Sequence, residues 1–127
     1  LPRRARLASV DAVPNTDELF DRAVDCVAEG NLEAAEAAYR EALELDPDFA
    51  DAWEGLSMAL ADLGRFEDAI AAAERVVALR PDEQLSYTNI SRIYQKSGDV
   101  PRAEEWAAKG RILDWKQQLK NDKSGGA

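Results

Sequence analysis

The chain has no histidine and a single cysteine, Cys26, among its 127 residues. That excludes an intrachain disulfide and leaves almost nothing from which to build a His/Cys metal site. Ser–His and Cys–His nucleophilic arrangements are ruled out by the same absence. Long apolar runs are missing too. The longest, Ala69 to Ala73, is far too short to span a bilayer. Prolines and glycines are few and sit where elements should end. Bases are scarce in the middle of the chain. Residues 14–110 carry 22 acidic against 9 basic side chains, a net −13, whereas the first 13 residues carry Arg3, Arg4 and Arg6 against Asp11. Such a body repels phosphate backbones and anionic lipid surfaces, so neither nucleic acid nor membrane insertion is expected. The first residues carry no leader-like pattern. Beginning on Leu rather than Met points to a processed product or a piece of a longer chain.

What is present is a period. Gly30, Gly64 and Gly98 are 34 residues apart, and so are Ala35, Ala69 and Ala103. Pro47 and Pro81 keep the same interval, and Leu19, Trp53 and Tyr87 align as bulky residues. A fixed period of this length marks a helical repeat array.

The clearest copy runs Trp53-x-x-Leu56, then Leu60, Gly64, Phe66, Ala69, Ala73 and Pro81. It resembles the tetratricopeptide repeat (TPR), a helix–turn–helix unit. The resemblance covers about 100 residues in three in-register copies. It implies an all-α, right-handed solenoid with repeats at about 16–49, 50–83 and 84–117, in a domain spanning 14–122. Two positions depart from the pattern: Arg22 stands where the first repeat wants Leu, and Trp115 where the third wants Pro.

Residues 1–13 lack helical periodicity and read as an arm or linker, with Leu7, Val10 and Val13 free to dock on the body. Asn15 followed by Glu18 is a capping box opening a helix that runs to about Glu29. Leu19, Ala23 and Cys26 form its core stripe. Later helices are expected at Leu32–Leu45, Phe49–Leu63 (capped by Asp48), Phe66–Leu79 and Glu83–Ser97. Glu33, Glu36, Arg40, Glu41 and Glu44 should face water. The last helix starts at Val100, and nothing except Gly110 interrupts it before Lys120-Asn121. Its stripe of Ala108, Ile112, Trp115 and Leu119 is expected to cap the array over about 20 residues. Residues 123–127 are expected to be a disordered tail.

The resemblance also implies a concave face lined by the first helix of each repeat, holding an extended peptide or a partner helix. Carried onto this chain, that face holds Asp17, Phe20, Val24 and Val27, then Asp51, Glu54, Met58, Ala61 and Asp62, then Leu85, Thr88, Asn89, Arg92, Gln95 and Lys96. Three zones follow. Phe20, Val24, Val27 and Met58 are apolar, Glu54 and Asp62 acidic, Arg92 and Lys96 basic. The partner-binding expectation rests on Phe20, Val24, Val27, Glu54, Met58, Asp62, Arg92 and Lys96. Two alternatives stand beside it: the apolar zone as a wider core face under the N-terminal arm, and Arg92 and Lys96 as salt-bridge partners of Asp62.

One TPR subtype grips the C-terminal carboxylate of heat-shock proteins with Lys and Asn in repeat one, Asn in repeat two, and Lys and Arg in repeat three. The matching positions here hold Phe20, Val24, Gly55, Leu85 and Asn89, none of the required type, so that clamp is not expected. Cys26 reads as a packed, inert thiol, and Trp106 and Trp115 as core and cap. Carboxylate pairs such as Glu104-Glu105 fall on solvated helix faces. The expectation is therefore a non-catalytic, cofactor-free, metal-free and cytoplasmic protein-interaction module. A homo-oligomeric scaffold and an accessory segment of a larger enzyme or envelope complex are the alternatives.

Overall fold

The computed structural model describes residues 15–125. Six helices follow one another: α1 (Thr16–Ala28), α2 (Leu32–Leu45), α3 (Ala50–Asp62), α4 (Phe66–Leu79), α5 (Gln84–Ser97) and α6 (Val100–Gly125). Each packs against the next, and α1 also touches α3 and α3 touches α5. The odd helices therefore share one layer and the even helices another. Among the described residues there is no strand.

Local chemistry sets the boundaries. Asn15 accepts the Glu18 amide at 2.8 Å while Glu18 reaches back to the Asn15 amide, closing the expected capping box. Asn31 caps α2 with its side chain alone, accepting the Ala34 amide at 3.3 Å. The hairpin between the helices of a repeat needs a left-handed residue, and Gly64 supplies it at φ +81°, as do Gly30 and Gly98 in their copies.

The turn between repeats is tied by an aromatic. Trp53 Nε1–H donates to the Pro47 carbonyl at 2.7 Å, and the Tyr87 hydroxyl donates to the Pro81 carbonyl at 2.9 Å. The two bonds occupy equivalent places one period apart, each spanning six residues.

Small residues let the layers close. Ala23, Ala35, Ala42, Ala52 and Ala69 are fully buried, with Leu19, Leu56, Leu60 and Ile90 as the large core side chains. Gly55 marks a close approach of α2 and α3. A Cβ there would collide with the ring of Tyr39, which lies against the α3 backbone.

Four expectations need correction. Asp48 does not cap α3. Its amide is held by Asp46 Oδ1 at 3.1 Å in the turn, and Phe49 stands at the cap without a side-chain bond. Glu36 is drawn out of solvent as the shared partner of Arg40 (2.8 Å) and Arg65 (2.7 Å). The last helix runs 26 residues, through Lys123 to Gly125, because nothing before Gly125 breaks it and Lys123 suits its negative end. The tail expected to be disordered is thus helical through Gly125; residues 126–127 lie outside the described residues, as does the arm at 1–13. Finally, Ile112, Trp115 and Leu119 of the α6 stripe cover nothing among the described residues: they are 51, 59 and 44 % exposed. The helix turns Ala103, Gly110 and Leu113 inward instead, and Gln117 Nε2 donates to the Asp82 carbonyl at 2.6 Å. Trp106 does pack inward, half-buried, with its ring 6.0 Å from that of Tyr87 and the Lys109 ammonium 4.0 Å from its face.

Candidate functional site: the α1–α3–α5 face

The 34-residue period places Met58 and Arg92 at equivalent points of α3 and α5, and Asp62 and Lys96 one turn further on. These four side chains meet. With Ala61, Asn89 and Ile93 they line a depression of about 70 Å³ between the two helices. That is room for one small side chain; a cofactor needs several hundred cubic ångströms. Met58 stands at its rim, half exposed. Lys96 Nζ bonds Asp62 Oδ1 at 2.6 Å, an exposed pair that contributes little to stability. Arg92, also exposed, has no acidic partner among the described residues. The depression thus joins an apolar wall to one uncommitted cation.

Glu54 lies nearer the start of α3. It accepts from Asn89 Nδ2 at 3.3 Å, and Arg80 Nη1 approaches to 4.0 Å. Arg80 is anchored by Asp51 at 2.7 Å, and that bond raises its pKa above the usual arginine range. Glu54 is therefore engaged within the protein, unlike Arg92.

The α1 residues divide. Phe20 is half-buried in an aromatic cluster, its ring centroid 5.8 Å from Tyr39 and 5.2 Å from Phe49. It belongs to the core margin, packed on α2 and the turn before α3. Val24 and Val27 remain 44 and 41 % exposed. Cys26 is a half-buried free thiol.

Sequence reasoning passed over a second cleft on the opposite layer. Arg40, Trp53, Asp68 and Arg75 surround a space of about 320 Å³ between α2 and α4, above the buried Leu56 and Leu60. Its polar groups are already engaged. Arg75 lies 5.4 Å from the Trp53 ring centroid, Arg40 is paired with Glu36, and Asp68 is paired with Arg65. A Trp with an arginine in the helix on either side of it, Arg40 in α2 and Arg75 in α4, was the available signal.

A family model described as tetratricopeptide repeat matches residues 20–84 and again 57–116. The chain belongs to the tetratricopeptide repeat family. Its all-α TPR solenoid is similar to a crystal structure of MamA at TM-score 0.79 and 21 % identity, covering 83 % of this chain and 57 % of that one. An O-GlcNAc transferase mutant of Thermobaculum terrenum aligns at TM-score 0.68 and 26 % identity, over 77 % of this chain and 19 % of that one. Among curated proteins, an Hsp70-Hsp90 organizing protein of Triticum aestivum is 33 % identical over 85 residues, 67 % of this chain and 15 % of its own length. A tetratricopeptide repeat and J domain-containing co-chaperone, DNJ1, of Cryptococcus neoformans var. grubii serotype A is 28 % identical over 93 residues, 73 % of this chain and 18 % of its own. The chain thus spans less than a fifth of the curated relatives it matches. Among the described residues no helix is long and apolar enough to cross a membrane.

The positions that would carry a carboxylate clamp in this TPR chain can be located. Phe20 is packed in its aromatic cluster, Val24 and Leu85 are exposed and apolar, and Asn89 is bonded to Glu54. Gly55 lies beneath the Tyr39 ring, so a longer side chain there requires Tyr39 to move.

Proposed function

We propose that this TPR domain is a non-catalytic module that holds a peptide or partner helix along its α1–α3–α5 face. The observation that carries the reading is the depression where Met58 and Arg92 meet. An adaptable thioether, a small apolar recess and an uncommitted guanidinium stand together on the face that the TPR resemblance also implies. A segment presenting an apolar side chain beside a carboxylate fits that chemistry. Val24 and Val27 extend the apolar surface along α1, while Glu54, Asp62 and Lys96 frame it with fixed charge. The absence of histidine from the chain and the 70 Å³ size of the recess favour binding over catalysis. A heat-shock-protein carboxylate clamp is not part of this reading, despite the Hsp70-Hsp90 organizing relative, because none of the five matching positions has the side chain it needs. We also infer a cytoplasmic setting; a lone half-buried thiol suits a reducing compartment.

The test is a peptide-display screen against the full chain, followed by binding measurements with Arg92→Glu and Met58→Lys. Binders enriched in an apolar residue next to Asp or Glu, weakened at least tenfold by either substitution, are the expected result. Binders indifferent to both would refute the assignment of the face. A second reading, an accessory segment of a larger enzyme or envelope complex, draws support from the small share of the O-GlcNAc transferase and of the curated relatives that the match covers.

A further inference from the structure

The charges of this domain are divided between its two ends. Residues 15–48 hold 11 acidic and 2 basic side chains, a net −9, whereas residues 106–125 hold 5 basic and 2 acidic, a net +3. Each end also exposes an apolar stripe: Val24 and Val27 on α1, and Ile112, Trp115 and Leu119 on α6.

The two stripes are built alike. At 100° per residue, Lys109, Lys116, Lys120 and Lys123 fall on one line of α6, on one flank of its apolar stripe. Asp17 and Asp21 fall on the corresponding flank of Val24 and Val27 in α1, in the same rotational sense. All six charged residues are exposed, and none is in an ion pair among the described residues. When two helices lie face to face and antiparallel, like flanks meet, so lysines stand against aspartates once the apolar stripes touch. A parallel pairing sets the aspartates against the mixed flank of Arg111, Gln118 and Asp122 instead. The lengths agree as well. Asp17 to Val27 and Ile112 to Lys123 span roughly 15 and 16.5 Å at 1.5 Å per residue. Beyond Gln117, which reaches the turn at Asp82, α6 runs on for two further turns.

We propose that α6 of one copy lies antiparallel across α1 of a second copy, giving head-to-tail self-association. The inference rests on the reading of the α1–α3–α5 face as a binding surface and names its occupant at the α1 end. The two patches differ, so the contact is heterologous, and copies add in a row or close into a ring. Two short stripes make a small interface, so the association belongs to the weak, transient class.

Sedimentation velocity of the full chain between about 5 and 500 μM, a range suited to so small an interface, tests this. The average mass should rise with concentration in 50 mM NaCl, and association should weaken at least tenfold in 500 mM NaCl, where the charges are screened. Asp17→Lys/Asp21→Lys and Lys116→Glu/Lys120→Glu should each weaken association at least tenfold alone. An equimolar mixture should restore it, because each protein supplies the patch the other lacks. Surface substitutions at these exposed positions leave the core intact, and circular dichroism confirms the fold. A wild type that stays monomeric throughout, double variants as strong as wild type, or a mixture no stronger than its components overturns the proposal. Such a result leaves the Met58–Arg92 depression to be judged by peptide binding to Arg92→Glu, which depends on no second copy.

Discussion

Replacing Gly55 by Ala is the most informative single change. In an exposed helix Gly→Ala gains about 1 kcal/mol from reduced backbone entropy. Here the new methyl would occupy the space of the Tyr39 ring, and that ring is itself buried at 4 % exposure. Overpacking of this kind costs about 1–3 kcal/mol, through a shifted ring or a parted α2–α3 contact. The substitution should therefore be neutral to destabilising by up to about 2 kcal/mol where propensity alone gives a gain. The second arm of the cycle separates the two effects. In a Tyr39→Leu background the ring is gone, and Gly55→Ala should regain most of its stabilising effect. Tyr39→Leu itself is destabilising, because the edge-to-face packing of the ring on Phe20 goes with it. Urea unfolding followed at 222 nm gives all four free energies, with an expected coupling of about 1–3 kcal/mol. A clear stabilisation by Gly55→Ala in the wild-type background, or a coupling near zero, would show that the ring does not rest on the α3 backbone.

The remaining expectations concern caps, ties and titration. Asn15→Ala removes the side-chain acceptor of the capping box, leaving the Glu18 amide without it, and should cost ~1 kcal/mol, read by thermal melting. The buried Ser86 hydroxyl has no hydrogen-bond partner among the described residues, so Ser86→Ala should stabilise by roughly 1 kcal/mol in the same assay, and a loss of stability would refute this. Trp53→Phe deletes the donor to the Pro47 carbonyl and should cost ~1 kcal/mol or more in denaturant. Burial raises the Tyr39 pKa above the ordinary 10.0. The unfolded chain therefore loses this proton first, and the stability Tyr39 contributes is complete below pH 10 and falls as pH rises past it. Tyr39→Phe should flatten that alkaline decline, measured as the midpoint of urea unfolding from about pH 9 to 11.

The helix pairs were legible because the period repeats both the breakers and the small residues. Gly64 and its copies end helices for a stereochemical reason that needs no tertiary context. That these α3 and α5 positions are neighbours was legible for the same reason. Met58, Asp62, Arg92 and Lys96 sit at equivalent points of neighbouring repeats, and equivalence in an array means adjacency. Ile93 was absent from that reading because its side chain is shared with the core. Phe20 and Trp115 mark the limit of pattern. A helical stripe says that a face is apolar, not what lies opposite. Phe20 found Tyr39 and Phe49, while Trp115 found nothing among the described residues. Asp48 failed differently: Asp46, two residues earlier, bound its amide and turned the chain before α3 began.

The bonds from Trp53 to Pro47 and from Tyr87 to Pro81 straddle the joints between successive units. Anyone splicing such modules into a new array should cut elsewhere than at the proline. The donor ring and its acceptor must travel as one cassette, or every seam will carry an orphaned carbonyl and a loosened hinge.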